Sequence, residues 1–250
     1  MRLDSNHVLI TGGTSGIGRA LAEQLHRRGN RVAITGRRAA LIEEIVAANP
    51  GMTGTTFDLD DPDAPRALQD FVRRELPDFN VLVNNAGVTG EEDLAGEWDT
   101  STARRIVQTN IFGTLEVTAA LLPLLKGRMP ATIMTTTSGL AFLPRANYPT
   151  YCASKAFLHS WTQSLRTQLR PVGIEVLELI PPYVQTELAG AGQATDPAAM
   201  PLQDYIDAVM RSLEVPQPER GEVIEARAAW LRSAEREGRY DESYATLNGS

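Results

Sequence analysis

The sequence has 250 residues, 42% of them apolar and 22% charged, a composition typical of a globular domain. Its formal net charge of −7 gives no indication of the basic surface that nucleic-acid binding needs. A single cysteine excludes an internal disulfide framework and, with an N-terminus unlike a signal peptide, favours a cytoplasmic protein. We expect no membrane span, since no apolar run approaches about 18 residues. We also expect no metal site, because the histidines lack ligand spacing.

Short β-rich segments alternate with longer helical patterns along the chain. The predicted strands are 7–11, 31–35, 55–58, 81–84, 131–136 and 174–180, and the predicted helices are 16–28, 39–48, 63–76, 97–126 and 151–170. Strands that are apolar throughout indicate burial on both faces, as in a parallel sheet covered by helices. The fold class is therefore α/β, a Rossmann-type doubly wound parallel sheet of about seven strands in a single domain, 1–250. Ligands of such sheets bind at the carboxyl ends of the strands.

Two later segments have less regular patterns. Glycines and prolines interrupt residues 187–218, which we predict to form an excursion over the ligand-binding edge. This excursion is a candidate lid, with Gly190 and Gly192 as flexible points. The charged segment 225–250 is predicted to end in a helix and an irregular strap.

A glycine-rich turn, TGGTSGIG at 11–18, follows the first strand and opens the first helix. Gly12 permits the tight turn, Gly16 lets the backbone approach a pyrophosphate, and Gly18 lets the helix pack on the sheet. The helix N-terminus adds unpaired N–H groups and the positive end of its dipole. The predicted cofactor contacts in this turn are Gly12, Thr14, Ser15, Gly16, Ile17 and Gly18.

Two arginines follow the second strand, where an NAD-binding domain usually has an acid for the adenosine ribose. Cations at a helix N-terminus are unfavourable by about 0.3–1 kcal/mol each. Arg37 and Arg38 therefore predict NADP(H), preferred over NAD(H), because its 2′-phosphate would offset this cost. The cofactor contacts predicted at the ends of the third and fourth strands are Asp58, Leu59, Asn85, Ala86 and Gly87.

A phenol and an ammonium are spaced four residues apart in YCASK at 151–155, one above the other on a helix face. Ser138 ends the fifth strand, at the same expected edge of the sheet. A ketone reductase needs a proton donor, and a tyrosine can serve if its pKa falls from about 10 toward neutrality. A cation about 6 Å away contributes about 2.8 kcal/mol at an effective dielectric constant near 20. We therefore expect Lys155, with a positively charged nicotinamide, to lower the pKa of Tyr151.

The segments TGGTSGIG, NNAG at 84–87 and YCASK, with Asn110 and Ser138 between them, resemble the signatures of the short-chain dehydrogenase/reductase family. The resemblance covers essentially the whole chain. It implies hydride transfer between a nicotinamide and a ketone, aldehyde or secondary alcohol. It implies that Tyr151 is the general acid/base, that Ser138 hydrogen-bonds the substrate oxygen and that Lys155 binds the nicotinamide ribose. Asn110 would hold a water in a proton relay behind Lys155.

The family has a Pro-Gly pair before a segment whose threonine contacts the nicotinamide amide. Here the segment is PPYVQT at 181–186, in which Pro182 replaces the glycine. The resemblance implies Pro181, Val184 and Thr186 as further cofactor contacts. Residues 138–142 and 151–161, with IPPYVQTEL and MPLQDYIDAVM, resemble more narrowly the DltE-like branch, which implies no substrate.

The predicted substrate walls are apolar and tolerant of aromatic groups, although each candidate could equally belong to the core. The candidates are Leu140, Phe142, Tyr148 and Tyr183. Helices over 104–125 and 156–169 are apolar on more than one face, and the resemblance implies that they form the interface of a homodimer or homotetramer.

Alternative functions remain open on the sequence. A catalytically silent NADP(H)-binding sensor would keep the cofactor site, but the intact set of Ser138, Tyr151 and Lys155 argues against it. An isomerase or dehydratase of the extended branch shares YxxxK, yet such chains are usually longer and have different glycine spacing. A serine hydrolase is disfavoured because the chain has no GxSxG elbow.

Overall fold

The computed structural model describes residues 1–58, 61, 63–215 and 220–249. Seven strands are β1 (His7–Ile10), β2 (Arg31–Gly36), β3 (Thr53–Thr56), β4 (Phe79–Asn84), β5 (Ala131–Thr136), β6 (Ile174–Ile180) and β7 (Glu222–Ile224). They form one sheet in the order β3-β2-β1-β4-β5-β6-β7, and every neighbouring pair is parallel. This confirms the predicted fold class. Nothing helical in the described part of the chain is long and apolar enough to cross a membrane.

The helices are α1 (Gly16–Arg27), α2 (Ala39–Ala48), α3 (Ala64–Glu75), α4 (Ser101–Ile106), α5 (Gly113–Leu125), α6 (Pro149–Leu169), α7 (Leu202–Leu213), α8 (Ala226–Ser233) and α9 (Tyr240–Asn248). A π-helical stretch, Val107–Phe112, joins α4 to α5, so the predicted helix over 97–126 begins later and widens in the middle. Short 3₁₀ turns occur at Gly139–Ala141, Arg170–Val172 and Ala191–Thr195.

Strand β3 lies two residues earlier than predicted. Thr53 pairs with Ala33 and Thr56 with Gly36, after which the Phe57 N–H donates to the Gly36 carbonyl and the pairing ends. The strand is the polar sequence TGTT at the sheet edge, so it lacks the apolar run that locates the other strands. As a result Asp58 follows the strand instead of ending it.

Each face of the sheet has its own apolar core. One cluster joins β1, β2, β4, β5 and β6 to α1 and α7, while the other joins the opposite side of these strands to α3, α5 and the end of α6. The strands are buried from both sides, which is why they are continuously apolar. The carboxyl ends of the strands remain free to carry polar groups.

The predicted excursion over 187–218 ends earlier than expected. Helix α7 buries Ile206, Val209 and Met210 in the core against α1 and β7, so this part belongs to the domain body. The irregular portion is therefore 187–201, while Pro216 and Pro218 lie outside the described residues. The tail also differs from the prediction, since it forms the two helices α8 and α9 instead of a helix and a strap.

Candidate active site

The glycine turn packs against the end of β4. Gly12 has φ +64° and Gly16 has φ +51°, backbone conformations that favour glycine. A β-carbon at Gly12 would lie 2.8 Å from the Ala86 Cα atom, and one at Gly18 would overlap the Gly12 carbonyl oxygen. A side chain at position 18 would therefore collide with the glycine turn itself. We had expected Gly18 to be needed for close packing of the helix on the sheet.

The start of α1 has the features of an anion site. Ser15 is its N-cap, and within the described chain its side chain makes no hydrogen bond to the first turn. The N–H groups there point away from the helix, as a pyrophosphate requires. Thr14 is buried beneath Gly36, where a β-carbon would lie 2.6 Å from the Thr14 Cγ2 atom. The predicted contacts of the turn are thus arranged as a cradle that fits a dinucleotide, although Thr14 forms its floor.

The threonine that opens the turn was not among the predicted contacts, yet it holds the cradle together. Thr11 Oγ1 accepts hydrogen bonds from the N–H groups of Asn85 (3.0 Å) and Ala86 (3.1 Å). Asn85 Nδ2 returns hydrogen bonds to the carbonyls of Thr11 and Gly12, at 3.2 and 3.3 Å. The Asn85 side chain therefore braces the turn from the end of β4.

A cavity of about 290 Å³ opens where β2 and β3 end, and Arg37, Thr55, Thr56, Phe57 and Asp58 are among the residues that line it. Gly36, which precedes Arg37, packs on Thr14 of the glycine turn, so the cavity has the place expected for the adenosine end of a dinucleotide. Neither Arg37 nor Arg38 has an ion-pair partner among the described residues. Arg38 is the N-cap of α2 and does not line the cavity, while Leu59 lies outside the described residues.

Three predicted catalytic side chains meet at the carboxyl ends of the strands. Tyr151 and Lys155 lie one turn apart on α6, and the Lys155 Nζ atom is 5.7 Å from the centre of the Tyr151 ring. Ser138 lies two residues beyond the end of β5. Its hydroxyl accepts from the Leu140 N–H at 3.1 Å and is close enough to Tyr151 to lower the pKa of that phenol. All three are buried, so water competes little for the groups they would present to a substrate.

The pKa values differ from the expectation. Burial raises the pKa of Tyr151 to about 12, against a smaller lowering by Ser138. Burial also lowers the pKa of Lys155 to about 8, and its ammonium donates to the Thr136 carbonyl at 2.9 Å. Among the chain's own groups, desolvation therefore disfavours both charged forms. The predicted lowering of the Tyr151 pKa, which also counts a positively charged nicotinamide, stays a prediction.

Asn110 lies in the π-helical stretch and is buried behind Lys155. Its Nδ2 donates to the Val88 carbonyl and to Ser154 Oγ, both at 3.0 Å, and its Oδ1 accepts from the Val88 N–H at 2.8 Å. A β-carbon at Gly87 would lie 3.3 Å from the Asn110 Oδ1 atom and 3.5 Å from the Lys155 Nζ atom. Gly87 therefore lets these two groups approach, and both amide hydrogens of Asn110 are already used.

The segment after β6 contributes unevenly to the site. Thr186 faces the glycine turn, since a β-carbon at Gly16 would lie 3.2 Å from its Cγ2 atom. Pro181 accepts a hydrogen bond from the Gly139 N–H at 3.0 Å and so fixes the loop after Ser138. The Val184 side chain is instead buried in the core, and its carbonyl accepts from Gln193 Nε2 at 2.7 Å, which leaves its N–H for a cofactor.

The four predicted substrate residues separate into two groups. Leu140 and Tyr148 pack against the cluster that contains Tyr151, and Tyr183 is exposed, so these three remain candidates. The Phe142 ring instead lies edge-on to His159 and next to the Arg232 guanidinium, which makes it a packing residue.

The mouth of the site is more polar than expected. The Tyr148 hydroxyl donates to Glu91 at 2.9 Å, and the Tyr183 hydroxyl donates to Asp196 at 3.1 Å. Burial and the neighbouring carboxylate raise the pKa of each phenol. This part of the candidate site therefore carries polar and acidic groups beside its aromatic rings.

Several residues of the site were missed because their roles depend on distant partners. Thr11 accepts a hydrogen bond from the backbone just after β4, and the Thr136 carbonyl accepts one from Lys155. Glu92 accepts from the Thr150 N–H (3.1 Å) at the start of α6. Nothing in the local pattern distinguishes them from ordinary polar residues, although the threonine in TGGTSGIG stands inside a motif that the sequence displays.

Comparison with known proteins identifies the family. The short chain dehydrogenase family model matches residues 6–196. The chain is 35% identical over 252 residues to the uncharacterized oxidoreductase DltE of Bacillus subtilis (strain 168), covering 99% of this chain and 98% of that protein. It is 34% identical over 184 residues to serine 3-dehydrogenase of Rhizobium radiobacter, covering 73% and 74% of the two chains. A short chain dehydrogenase from Burkholderia cenocepacia J2315, solved in complex with NADP, superposes with a TM-score of 0.84 at 25% identity over 99% of each chain. The chain thus belongs to the short-chain dehydrogenase/reductase family and is an oxidoreductase with a DltE-like relative.

Proposed function

We propose that the protein is an NADP(H)-dependent carbonyl reductase that interconverts a ketone or aldehyde and an alcohol. The observation that carries this proposal is the convergence of Ser138, Tyr151 and Lys155 beside the glycine turn, at one edge of the sheet. A nicotinamide bound in the cradle supplies or accepts the hydride. The chain's own groups then have to bind the substrate oxygen and move one proton.

Ser138 and Tyr151 share this task in the proposed mechanism. With a pKa of about 12 the Tyr151 phenol is protonated at neutral pH, so it can donate to an oxygen that gains negative charge. Its O–H bond breaks as the O–H bond of the alcohol forms, and Ser138 hydrogen-bonds the same oxygen. The Lys155 ammonium then stabilises the phenolate. In the oxidative direction the phenolate takes the proton back.

Preference for NADP(H) over NAD(H) rests on Arg37. Its guanidinium lines the cavity at the adenosine end and has no carboxylate partner in the described part of the chain. A 2′-phosphate placed there gains a charge-assisted, bidentate contact. The Burkholderia cenocepacia relative was solved with NADP bound, and in this chain Arg38 would add charge from the start of α2.

We further propose a homodimer or homotetramer built on the helical regions 104–125 and 156–169. Phe112 and Phe157 are 49% and 41% exposed, a large apolar area for a free surface, and Trp161 beside them is partly covered. Ile106 and Leu158, apolar residues within the predicted interface regions 104–125 and 156–169, are buried within the protomer and so belong to its core.

The irregular segment 187–201 is the proposed lid. Gly190 has φ +105°, and a β-carbon at Gly190 or Gly192 would meet nothing within 4 Å among the described atoms. Both glycines therefore have room to move as the segment opens and closes over the substrate.

The test is a panel of carbonyl compounds followed by the loss of NADPH absorbance. Because the mouth is both aromatic and polar, the panel should contain aryl ketones and small polar aldehydes, and the reverse panel should contain hydroxy amino acids such as the serine of one relative's name. We expect turnover with NADPH and its loss in Tyr151→Phe. Tight NADPH binding without turnover across the panel would instead favour the catalytically silent sensor.

A further inference from the structure

A buried carboxylate beneath the reacting centre connects the two elements that carry it. Glu178, in β6, is 0% exposed. One of its oxygens accepts a hydrogen bond from Thr137 Oγ1 at 2.7 Å, and both lie 2.9 Å from His159 Nδ1. The Nδ1 atom therefore carries a proton toward the carboxylate. We call this Thr137–Glu178–His159 set the buried bridge.

The first end of the bridge is the backbone that presents Ser138. Thr137 immediately precedes Ser138, and its N–H donates to the Leu179 carbonyl at 2.9 Å. Its hydroxyl bond to Glu178 adds a second, side-chain tie across the same pair of strands. Position 137 is thus fixed to β6 at two points.

The second end is the helix that presents the tyrosine. Tyr151, Lys155 and His159 are spaced four residues apart on α6, so they share one helix face. The Glu178 carboxylate therefore contacts both Thr137, which precedes Ser138, and His159, which lies on the same face of α6 as Tyr151. The distance between the serine and tyrosine hydroxyls depends on both attachments.

The loop after Ser138 is held by the same cluster. The Phe142 ring lies edge-on to the His159 ring, with 4.6 Å between their centres, and the Arg232 guanidinium is 4.5 Å from the Phe142 ring centre. Arg232 in turn binds Glu222 of β7 at 3.1 Å. The buried bridge and the C-terminal helices thus clamp this loop from both sides.

A metal site is the competing interpretation of the cluster. Ligand atoms of His159, Glu178 and Glu222 lie within 4.8 Å of one another. However, Arg232 already pairs with Glu222, and Arg166 lies close enough to both carboxylates for their charges to act on its pKa. Two guanidinium groups beside these carboxylates leave little negative charge for a divalent cation. The cluster is therefore better explained by its internal hydrogen bonds.

We propose that Glu178 and His159 are positioning residues, which hold Ser138 and Tyr151 at the separation that proton transfer requires. This inference rests on the proposed function and assigns these residues no contact with substrate or cofactor. A buried glutamate in a sheet interior is unfavourable unless it is fully partnered. Its hydrogen-bond partners here are Thr137, next to Ser138, and His159, on the helix of Tyr151. A shift of either catalytic side chain would therefore also weaken the hydrogen bonds of the carboxylate.

A double-mutant cycle tests the proposal. Glu178→Gln keeps the volume but weakens the bond to His159, and Thr137→Val removes the hydroxyl bond while keeping the shape. We expect each to lower kcat about tenfold to hundredfold, since a 1 Å displacement can have such an effect, with NADPH affinity measured by fluorescence unchanged. In a Ser138→Ala background neither should lower kcat further. An equal loss in both backgrounds would overturn the proposal.

The chain offers a matched control at the other end of the same strands. Thr132 Oγ1 donates to Glu175 at 3.2 Å across β5 and β6, far from the active site. Thr132→Val removes the same kind of bond and should leave kcat unchanged. A loss of kcat equal to that of Thr137→Val would contradict positioning by the buried bridge.

Hydrogen exchange separates this proposal from the proposed function. The amides of residues 139–142 are all hydrogen-bonded in the loop after Ser138. In Glu178→Gln we expect them to exchange several-fold faster, whether or not the protein turns over any carbonyl. Unchanged exchange would sink the positioning role even in an active enzyme, whereas an inactive wild type with faster exchange in the variant would sink only the proposed function.

Discussion

Replacement of Lys155 by methionine tests the electrostatics of the site without any substrate. The buried ammonium has a pKa of about 8, while an unfolded lysine titrates at 10.5. Between these values the unfolded chain binds more protons than the folded one, so the free energy of unfolding rises with pH. Below about 8 both states are protonated and this contribution is constant.

The magnitude follows from the two pKa values. Each pKa unit corresponds to about 1.4 kcal/mol, so the folded protein should gain about 2 kcal/mol between pH 7 and pH 9.5 from this group. Lys155→Met keeps most of the volume and removes the titration, and its stability should lack this rise. The buried Tyr151, Tyr205 and Cys152 have raised pKa values and oppose the gain as pH increases, but they are common to both proteins.

The assay is urea unfolding of cofactor-free wild type and Lys155→Met at several pH values from 7 to 9.5. The quantity to compare is the difference between their unfolding free energies, in which shared titrations cancel. We expect this difference to move by about 2 kcal/mol in favour of the wild type as pH rises. A constant difference would refute the reasoning, since the lysine would then titrate alike in both states.

Three other substitutions, and a fourth that serves as a control, test separate parts of the account. Arg37→Asp should raise the KM for NADPH about tenfold to hundredfold and leave that for NADH equal or lower, because a charge-assisted contact is worth about 1.5–3 kcal/mol; equal losses with both cofactors would contradict the assignment. Gly18→Ala should destabilise the protein by about 1–3 kcal/mol in urea unfolding, since its β-carbon overlaps the Gly12 carbonyl. Gly192→Ala, with open space around it, is the control and should unfold like wild type. Phe112→Glu should shift the mass by light scattering toward the monomer; a wild type that is already monomeric at micromolar concentration would reject the interface.

Much of this architecture can be predicted from local sequence patterns. Continuous apolar strands, the TGGTSGIG turn and the i, i+4 spacing of Tyr151 and Lys155 each depend on residues close in the chain. They predict the sheet and the edge where the side chains meet. The edge strand β3 escapes this reasoning because TGTT has no apolar run, and the π-helical stretch at Asn110 has no sequence pattern that marks it.

Burial and long-range pairing explain what the sequence does not reveal. The expected fall in the Tyr151 pKa considered Lys155 and a positively charged nicotinamide. Desolvation, which depends on the whole fold, is the largest effect that the chain's own groups have on this phenol. Glu178 lies in a strand pattern where a charged residue predicts an exposed position. Its burial is intelligible only once Thr137 and His159 reach it from two other elements.

The most direct test of the central claim is a crystal structure of the protein with NADP(H) bound. We predict that the nicotinamide C4 atom will lie beside the Ser138 and Tyr151 hydroxyls, with room between them for a carbonyl group about 3–3.5 Å from each reacting atom. A Tyr151 hydroxyl turned into the packing around Leu140 and Tyr148, away from C4, would contradict the account.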